Sequence, residues 1–150
     1  MALTYQAIHY RDLGKDLLYA VLALRSAVFV VEQRCHYQDL DGYDSVCTHL
    51  LAYEGESLFG CARIVPPEVK REQPSIGRYA LLPDVRGRGQ GRAFFEYAIA
   101  QAEVLYPKRS IYIQAQAQLE RFYGSMGFVR QGESYMDAGI PHVDMLRHPA

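Results

Sequence analysis

The feature that most constrains the fold is a glycine-rich turn between a predicted strand and a predicted helix. The strand is predicted over residues 75–82, and the turn reads Arg86-Gly87-Arg88-Gly89-Gln90-Gly91-Arg92. The helix ends before Pro107, and its inner face is predicted to carry Phe94, Ala98, Ala102 and Leu105. Glycine permits close backbone approach, and a helix N-terminus offers unpaired N–H groups to an anion. With three arginines nearby, the turn predicts a phosphate-binding site.

The spacing of this turn differs from the commoner phosphate-binding motifs. A P-loop requires G-x-x-x-x-G-K-[ST], and neither the lysine nor the hydroxyl follows here. A dinucleotide-binding fold places its G-x-G-x-x-G early, with an acid about 20 residues later, whereas this turn lies past mid-chain. An RNA-binding RGG segment should be disordered, but this one runs straight into an apolar helix. A tight turn with a solvated basic edge is the structural alternative.

The other segments predict a mixed α/β sheet in the order β-α-β-β-β-α-β-α-β-β, rather than a regular βαβ ladder. Further strands are predicted at residues 4–10, 48–53, 58–65, 110–114, 128–135 and 142–147. A short helix at residues 118–125 ends at Gly127. The first helix is predicted to bury one face that carries Leu17, Val21, Leu24 and Val28.

Length and charge limit the function classes. A chain of 150 residues fits a single domain spanning 1–150. Its formal net charge of −1 argues against bulk binding to nucleic acid or to a membrane surface. The apolar runs are too short to span a bilayer, and residues 1–5 lack the features of a signal peptide. We therefore expect a cytoplasmic protein.

The three cysteines, Cys35, Cys47 and Cys61, predict neither a disulfide framework nor a zinc site. Their number is odd and none forms a C-x-x-C pair. Buried or incidental thiols are the favoured interpretation, and no metal is expected. Cys35 or Cys61 as an acyl-carrying nucleophile is a weaker alternative.

Two segments resemble hallmarks of the GNAT (GCN5-related N-acetyltransferase) superfamily. Arg86 to Gly91 matches its [RQ]-x-x-G-x-[GA] signature, and residues 119–128 resemble its aromatic-rich helix end. The outer segments are similar to the ElaA-like subgroup at residues 27–33, 37–39, 41–42, 76–78 and 139–142. The resemblance covers nearly the whole chain. It implies the GNAT acyl-CoA N-acyltransferase fold and acetyl transfer from acetyl-CoA to an amine by direct attack in a ternary complex.

The resemblance also implies roles for particular residues. The pantetheine of the cosubstrate would pair with the strand at Tyr79, Ala80 and Leu81, with the Leu81 amide as oxyanion donor. Tyr123 would be the general acid, although a core aromatic is its structural alternative. The pyrophosphate would bind at Arg86, Gly87, Arg88, Gly89, Gln90, Gly91 and Arg92.

The general base and the acceptor are less constrained by the sequence. Many relatives place a glutamate on the strand before the turn, but residues 75–82 contain no acid. Glu32, His49 and His142 are candidates for the base, each with a structural alternative, and a water relay is equally compatible. An acidic segment carries Asp39, Asp41 and Asp44. It predicts either a preference for cationic amines or a solvated loop.

The acceptor is expected to be the primary amine of a small molecule or peptide. A homodimer is possible. Two other functions stay open: a non-catalytic CoA-binding or regulatory module on the same fold, and a nucleotide-binding regulator that uses the glycine turn.

Overall fold

Seven strands form one sheet, flanked by helices on both faces. The computed structural model describes residues 3–150, so Met1 and Ala2 lie outside the described residues. These two residues begin both the predicted 1–150 domain and the segment that was assessed for a signal peptide. The strands are β1 (Leu3–His9), β2 (Thr48–Glu54), β3 (Ser57–Val65), β4 (Ser75–Leu81), β5 (Ile111–Gln116), β6 (Phe128–Asp137) and β7 (Ile140–Arg147). The helices are α1 (Lys15–Arg25), which continues as a π-helix (Ser26–Glu32), α2 (Gln90–Leu105) and α3 (Glu120–Gly124).

The strand order is β1-β2-β3-β4-β5-β7-β6. All neighbours are antiparallel except β4 and β5, which are parallel. The predicted mixed α/β fold and element order are confirmed, with element bounds shifted by a few residues. Among residues 3–150, no helix is both long enough and apolar enough to span a bilayer.

The core has two layers, one on each face of the sheet. On one face, α1 packs its buried Val21 and Leu24 against a small cluster that includes Ala80 of β4. On the other face, α2 and α3 bury a larger cluster that includes Phe94 and Tyr123. The predicted inner face of α2 is confirmed except at Leu105. That residue is 41% exposed, because it is the last residue of the helix and Ala102 is the last buried position.

The parallel strands β4 and β5 separate soon after they meet. Ser75 and Tyr112 are their single paired position, and the Tyr112 N–H donates to the Pro74 carbonyl at 2.9 Å. Beyond this point the two strands make no further ladder pairs within the described residues. The backbone edge at the C-terminal end of β4 is therefore left open to a ligand.

A β-bulge in β4 lies beside this opening. Cys61 pairs with Ala80 and Arg63 pairs with Gly77, so two residues of β4, Arg78 and Tyr79, oppose a single residue of β3. Arg78 adopts the left-handed conformation, with φ of 46°. Such a backbone is strained for a non-glycine residue, so surrounding contacts must hold it in place.

Those contacts come from a closed ring of six charged side chains, which we call the ion ring. Each arginine bridges two aspartates and each aspartate bridges two arginines, in the order Arg25, Asp44, Arg63, Asp41, Arg78 and Asp39. The N–O distances run from 2.5 to 3.3 Å. Five of the six contacts are also hydrogen bonds, and the contact between Arg78 Nε and Asp39 Oδ1 is an ion pair without hydrogen-bond alignment.

The ion ring neutralises the acidic segment. Burial by itself raises the pKa of the Asp44 carboxyl, but hydrogen bonds and charge from Arg25 and Arg63 outweigh it and hold that pKa below its ordinary value. The same balance, dominated on the favourable side by Arg63, lowers the pKa of Asp41. Both sequence interpretations are corrected: the aspartates are neither a solvated loop nor an uncompensated acidic cleft, because three arginines from α1, β3 and β4 pair with them.

Replacing Asp44 with asparagine should destabilise the protein strongly. Arg25 and Arg63 are 1% and 2% exposed, and each would lose one of its two carboxylate partners. Breaking such a pair costs about 3–5 kcal/mol, because a charge is left buried without compensation. Urea unfolding of Asp44→Asn against wild type measures the loss.

Asp12→Asn is the matched control for this comparison. Asp12 is exposed and lies 3.9 Å from an exposed Arg11, so its removal should change the free energy of unfolding very little. Equal unfolding midpoints for the two variants would show that the ion ring does not stabilise the fold.

Candidate active site

A cleft of about 830 Å³ lies where β4 and β5 separate. Its lining includes Phe95 and Tyr123 from the α2 and α3 side of the sheet, and Phe29 and Tyr37 from the α1 side. Because lining residues come from both faces, the cleft passes through the sheet. A ligand lying in it can contact both core layers and the exposed edge of β4.

The glycine turn lies between β4 and α2, and Arg86 is its residue that lines the cleft. Gly87 and Gly89 have φ of 78° and 80°, conformations that glycine adopts without steric cost. A Cβ at either position would meet no atom within 4 Å, so the turn is open to a ligand. Gly89 precedes α2, and within the described part of the chain no side chain caps the helix. The first-turn N–H groups are therefore available to an anion.

Gly91 serves a different purpose, the close approach of α2 to β4. The Tyr79 hydroxyl donates to the Gly91 carbonyl at 2.6 Å. A Cβ on Gly91 would lie 2.9 Å from that hydroxyl and 3.1 Å from Leu81 Cδ1. Glycine here thus sets the distance between the helix N-terminus and the open strand edge.

The structure divides the three arginines of the turn. Arg86 donates to both carboxylate oxygens of Glu32 and to the Leu81 carbonyl. Arg92 pairs with Glu96 at 2.8 Å and donates to Ser125. Arg88 is exposed and has no side-chain partner among residues 3–150. The expectation of three cations free for a phosphate is therefore corrected, because two of them tie neighbouring elements together.

The backbone of Leu81 faces the cleft. The Leu82 N–H donates to the Phe59 carbonyl at 2.9 Å, so Leu81, opposite Gly60, occupies a non-hydrogen-bonded pair. In an antiparallel ladder the N–H and C=O of such a residue point away from the partner strand. The Leu81 N–H therefore points toward the gap between β4 and β5, while Arg86 holds its carbonyl.

Tyr123 lies on α3 with its ring packed on Phe95, Phe122 and Phe128. The side chain is 8% exposed, and it lines the cleft. Its hydroxyl has no hydrogen-bond partner among residues 3–150. The hydroxyl oxygen is nevertheless not fully buried, so it remains accessible from the cleft. Burial raises the pKa of Tyr123 to about 12, and the phenol keeps its proton at neutral pH.

Glu32 and His49 lie outside the cleft lining. Arg86 donates to both carboxylate oxygens of Glu32. These hydrogen bonds lower the pKa of Glu32, which makes it a weaker base. His49 is buried on β2, where its Nε2 lies 3.0 Å from the Asp44 carbonyl and supports the acidic segment. Burial lowers the pKa of His49, which keeps the ring neutral.

His142 is the remaining base candidate, and it lines the cleft. Its Nδ1 is 2.8 Å from the Ile140 carbonyl, an acceptor, so Nδ1 carries a proton. In the neutral ring Nε2 is then the unprotonated nitrogen. No side chain among residues 3–150 bonds that nitrogen, so it is free to accept a proton.

The cysteines are buried thiols, as expected. Burial raises the pKa of Cys61 to about 12 and also raises the pKa of Cys35, so neither is a ready thiolate at neutral pH. Residues 3–150 contain no group of three or more His, Cys, Asp or Glu side chains that could hold a metal ion.

The wall of the cleft that β5 forms was not predicted from the sequence. Tyr112, Gln114 and Gln116 all line it, on the face opposite the buried Ile111, Ile113 and Ala115. The alternation of polar and apolar residues along β5 was the available signal. Tyr112 and Tyr135 both donate to Asp144 Oδ1 at 2.6 Å, which fixes this wall.

Comparison with known proteins agrees with this geometry. Residues 7–148 match the family described as the acetyltransferase (GNAT) domain, and the chain belongs to that family. Protein ElaA of Escherichia coli is 38% identical over 145 residues, covering 95% of each chain. A UPF0039 protein of Mycobacterium tuberculosis is 39% identical over 141 residues, covering 91% of this chain and 88% of that one.

Two crystal structures are very similar to this one. An acyl-CoA N-acyltransferase from Pseudomonas aeruginosa has a TM-score of 0.92 at 38% identity, covering 97% of this chain and 99% of that one. Escherichia coli ElaA has a TM-score of 0.92 at 36% identity, covering 98% and 100%. The predicted GNAT membership and ElaA-like character are confirmed, and the protein is an acyltransferase that uses an acyl-CoA cosubstrate.

Proposed function

We propose that this protein is an N-acetyltransferase that moves an acetyl group from acetyl-CoA to the primary amine of a small molecule or peptide, by direct attack in a ternary complex. One observation carries the proposal. The same cleft has the open edge of β4 and a protonated Tyr123 hydroxyl that no group among residues 3–150 bonds, and the N-terminus of α2, uncapped by those residues, follows that strand. A cytoplasmic location and a possible homodimer stay predictions from the sequence.

The glycine turn supports binding of the charged, pyrophosphate-bearing end of acetyl-CoA. Gly87 and Gly89 carry no Cβ and leave the backbone of the turn open, and the N–H groups of Gln90, Gly91 and Arg92 lie in the first turn of α2. We assign the pyrophosphate to these groups together with Arg88. Arg86 and Arg92 then act by holding the turn, and Tyr79, Ala80 and Leu81 offer a strand edge to the pantetheine.

The cosubstrate supplies a thioester; the amine nitrogen bonds its carbonyl carbon as the C–S bond breaks. The Leu81 N–H donates to the carbonyl oxygen, which gains negative charge as the bond forms. Tyr123 gives its proton to the departing sulfur and regains one from solvent. The amine loses one proton to His142 Nε2 or to water, so the products are the N-acetylated amine and the free thiol of CoA.

Amine-dependent release of free thiol from acetyl-CoA tests the proposed function. In a panel of small-molecule and peptide primary amines, some should cause thiol release from acetyl-CoA. Mass spectrometry should identify the acetylated amine in those reactions. A folded protein that is stabilised by acetyl-CoA yet releases no thiol with any amine would favour a non-catalytic CoA-binding module. Stabilisation by ATP or NAD rather than acetyl-CoA would favour a nucleotide-binding regulator.

Gly89→Val should abolish the thermal stabilisation that acetyl-CoA gives by mass action. The β-branched side chain opposes φ of 80° and fills the space that the ligand needs. Differential scanning fluorimetry with and without acetyl-CoA measures the shift.

Gly132→Val is the matched control for Gly89→Val. Gly132 has φ of 78° and no atom within 4 Å of its Cβ position, but it lies on β6 away from the turn. Both variants carry the same backbone strain, so a retained acetyl-CoA shift in folded Gly89→Val would remove the turn from the binding site.

Tyr123→Phe should lower turnover by roughly one hundredfold or more, the scale for losing a positioned acid. The ring and its aromatic contacts stay, so folding and acetyl-CoA affinity should change little. Because the pKa of Tyr123 is about 12, its ionisation should cause no fall in rate between about pH 7 and 10. Steady-state kinetics and the acetyl-CoA thermal shift in one preparation check both points.

Tyr19→Phe, on the exposed face of α1, is the control for deletion of a hydroxyl. It should match wild type in every measurement. Full turnover in Tyr123→Phe would make that ring a core aromatic, with water protonating the sulfur. Loss of both folding and binding would also assign it a structural role.

A further inference from the structure

Most charged side chains that line the cleft are already paired. Asp41, Arg63 and Arg78 belong to the ion ring, and Arg86 is paired with Glu32. Three charged lining residues have no ion-pair partner among residues 3–150: Lys70, Arg71 and Asp137. The unpaired charge of the cleft is therefore two cations and one carboxylate.

The two cations are consecutive residues on the loop between β3 and β4, and each lies over a tyrosine ring. The Lys70 ammonium is 5.4 Å from the centre of the Tyr43 ring. The Arg71 guanidinium carbon is 4.5 Å from the centre of the Tyr112 ring. Both tyrosines also line the cleft, so the contacts hold the cations at its wall.

Contact with an aromatic face leaves the hydrogen-bonding edge of a guanidinium available. No Arg71 side-chain N–H donates to any group among residues 3–150, and the same is true of the Lys70 ammonium. A planar guanidinium edge matches a carboxylate or phosphate in a two-bond arrangement, and an adjacent ammonium adds a point charge. Both side chains are solvent-accessible, so a ligand can reach them.

The carboxylate that lies near Lys70, that of Asp41, is already paired with arginines of the ion ring. Desolvation and the nearby charge of Arg63 lower the pKa of the Lys70 ammonium, and Arg78 and Arg71 act in the same direction. Asp41 opposes them, but it is already held by two arginines of the ion ring. An anion bound here would relieve this repulsion.

We infer that the acceptor is an amine that also carries an anionic oxyacid group, a carboxylate or a phosphate, and that Lys70 and Arg71 bind this group. The unpaired Asp137 carboxylate, which accepts from Gln114 Nε2 at 3.0 Å, then supplies the negative charge that the ammonium form prefers, before that form loses a proton to solvent and reacts as the neutral amine. The inference rests on the proposed acetyl transfer for its acceptor role, but binding of the anion does not depend on turnover.

Matched acceptor pairs test the inference with acetyl-CoA present. L-phenylalanine is compared with L-phenylalaninamide, glycine with glycinamide, and phosphoethanolamine with ethanolamine. The anionic member of a favoured pair should have a kcat/KM higher by about tenfold or more, the scale of a charge-assisted contact. The amide's amine is less basic and so more often neutral, which means that intrinsic reactivity favours the opposite order for the carboxylate pairs. Whether the carboxylate pairs or the phosphate pair shows this difference identifies the anionic group that the acceptor carries.

The variants Lys70→Gln and Arg71→Gln should bring the ratio within each favoured pair toward one. Arg71→Lys keeps the charge but loses the planar edge, so it should restore only part of the preference. Lys15→Gln, an exposed lysine on α1 outside the cleft, should leave the ratio unchanged. Acetyl-CoA binding, followed by thermal shift, should be the same in all four variants.

Thermal shifts with the same probes and CoA keep the two proposals separate. If the anionic probes stabilise wild type more than their neutral partners and the variants lose this difference, the anion site stands even if no thiol is released. In that case the proposed function alone fails. Equal binding and turnover of the charged and neutral partners, or a preference that survives in the Lys70→Gln and Arg71→Gln double variant, would overturn the inference.

Discussion

The ion ring is the interaction on which the rest of the site depends. It joins α1 through Arg25, β3 through Arg63 and β4 through Arg78 to one segment that carries all three aspartates. Two of the arginines are almost completely buried, and a buried charge is tolerated only where its partners are close and well oriented. The ring therefore fixes the relative positions of the elements that form the α1 side of the cleft.

The ion ring affects the proposed reaction through the bulge in β4, which sets the direction of the Leu81 N–H. The ring holds Arg78 in its left-handed conformation, and Arg78 also lies 5.2 Å from the Tyr37 ring. The extra residue places the Arg78 side chain on the α1 side, where it joins the ion ring, and returns Tyr79 to the α2 side. Beyond the bulge, the Leu81 N–H points into the gap that β5 leaves open. A charge network on one face thereby orients a backbone donor at the strand edge.

The sequence was sufficient for the fold because its signals were local. Periodicity located the strands and helices, and the glycine turn located the strand-to-helix junction. It was insufficient wherever a side chain meets a partner far along the chain. Arg86 meets Glu32, and Asp44 meets Arg63, only after folding. Nothing local in the acidic segment distinguishes neutralised aspartates from solvated ones, and no pattern separates His49, held against that segment, from His142, which faces the cleft.

The distribution of charge in the cleft follows from the same constraint. The proposed function requires one cleft to bind an anionic cosubstrate and a separate amine, so charges whose role is structural need to be neutralised. The ion ring and the Arg86–Glu32 pair do this, because an uncompensated charge near the reacting atoms would attract the wrong ligand to the wrong place. The unpaired charges on the β3–β4 loop and at Asp137 are those that form no ion pair with another side chain among residues 3–150. Their contacts with tyrosine rings and with Gln114 position them at the cleft wall, and charges that the fold already positions need less ordering when a small charged molecule binds.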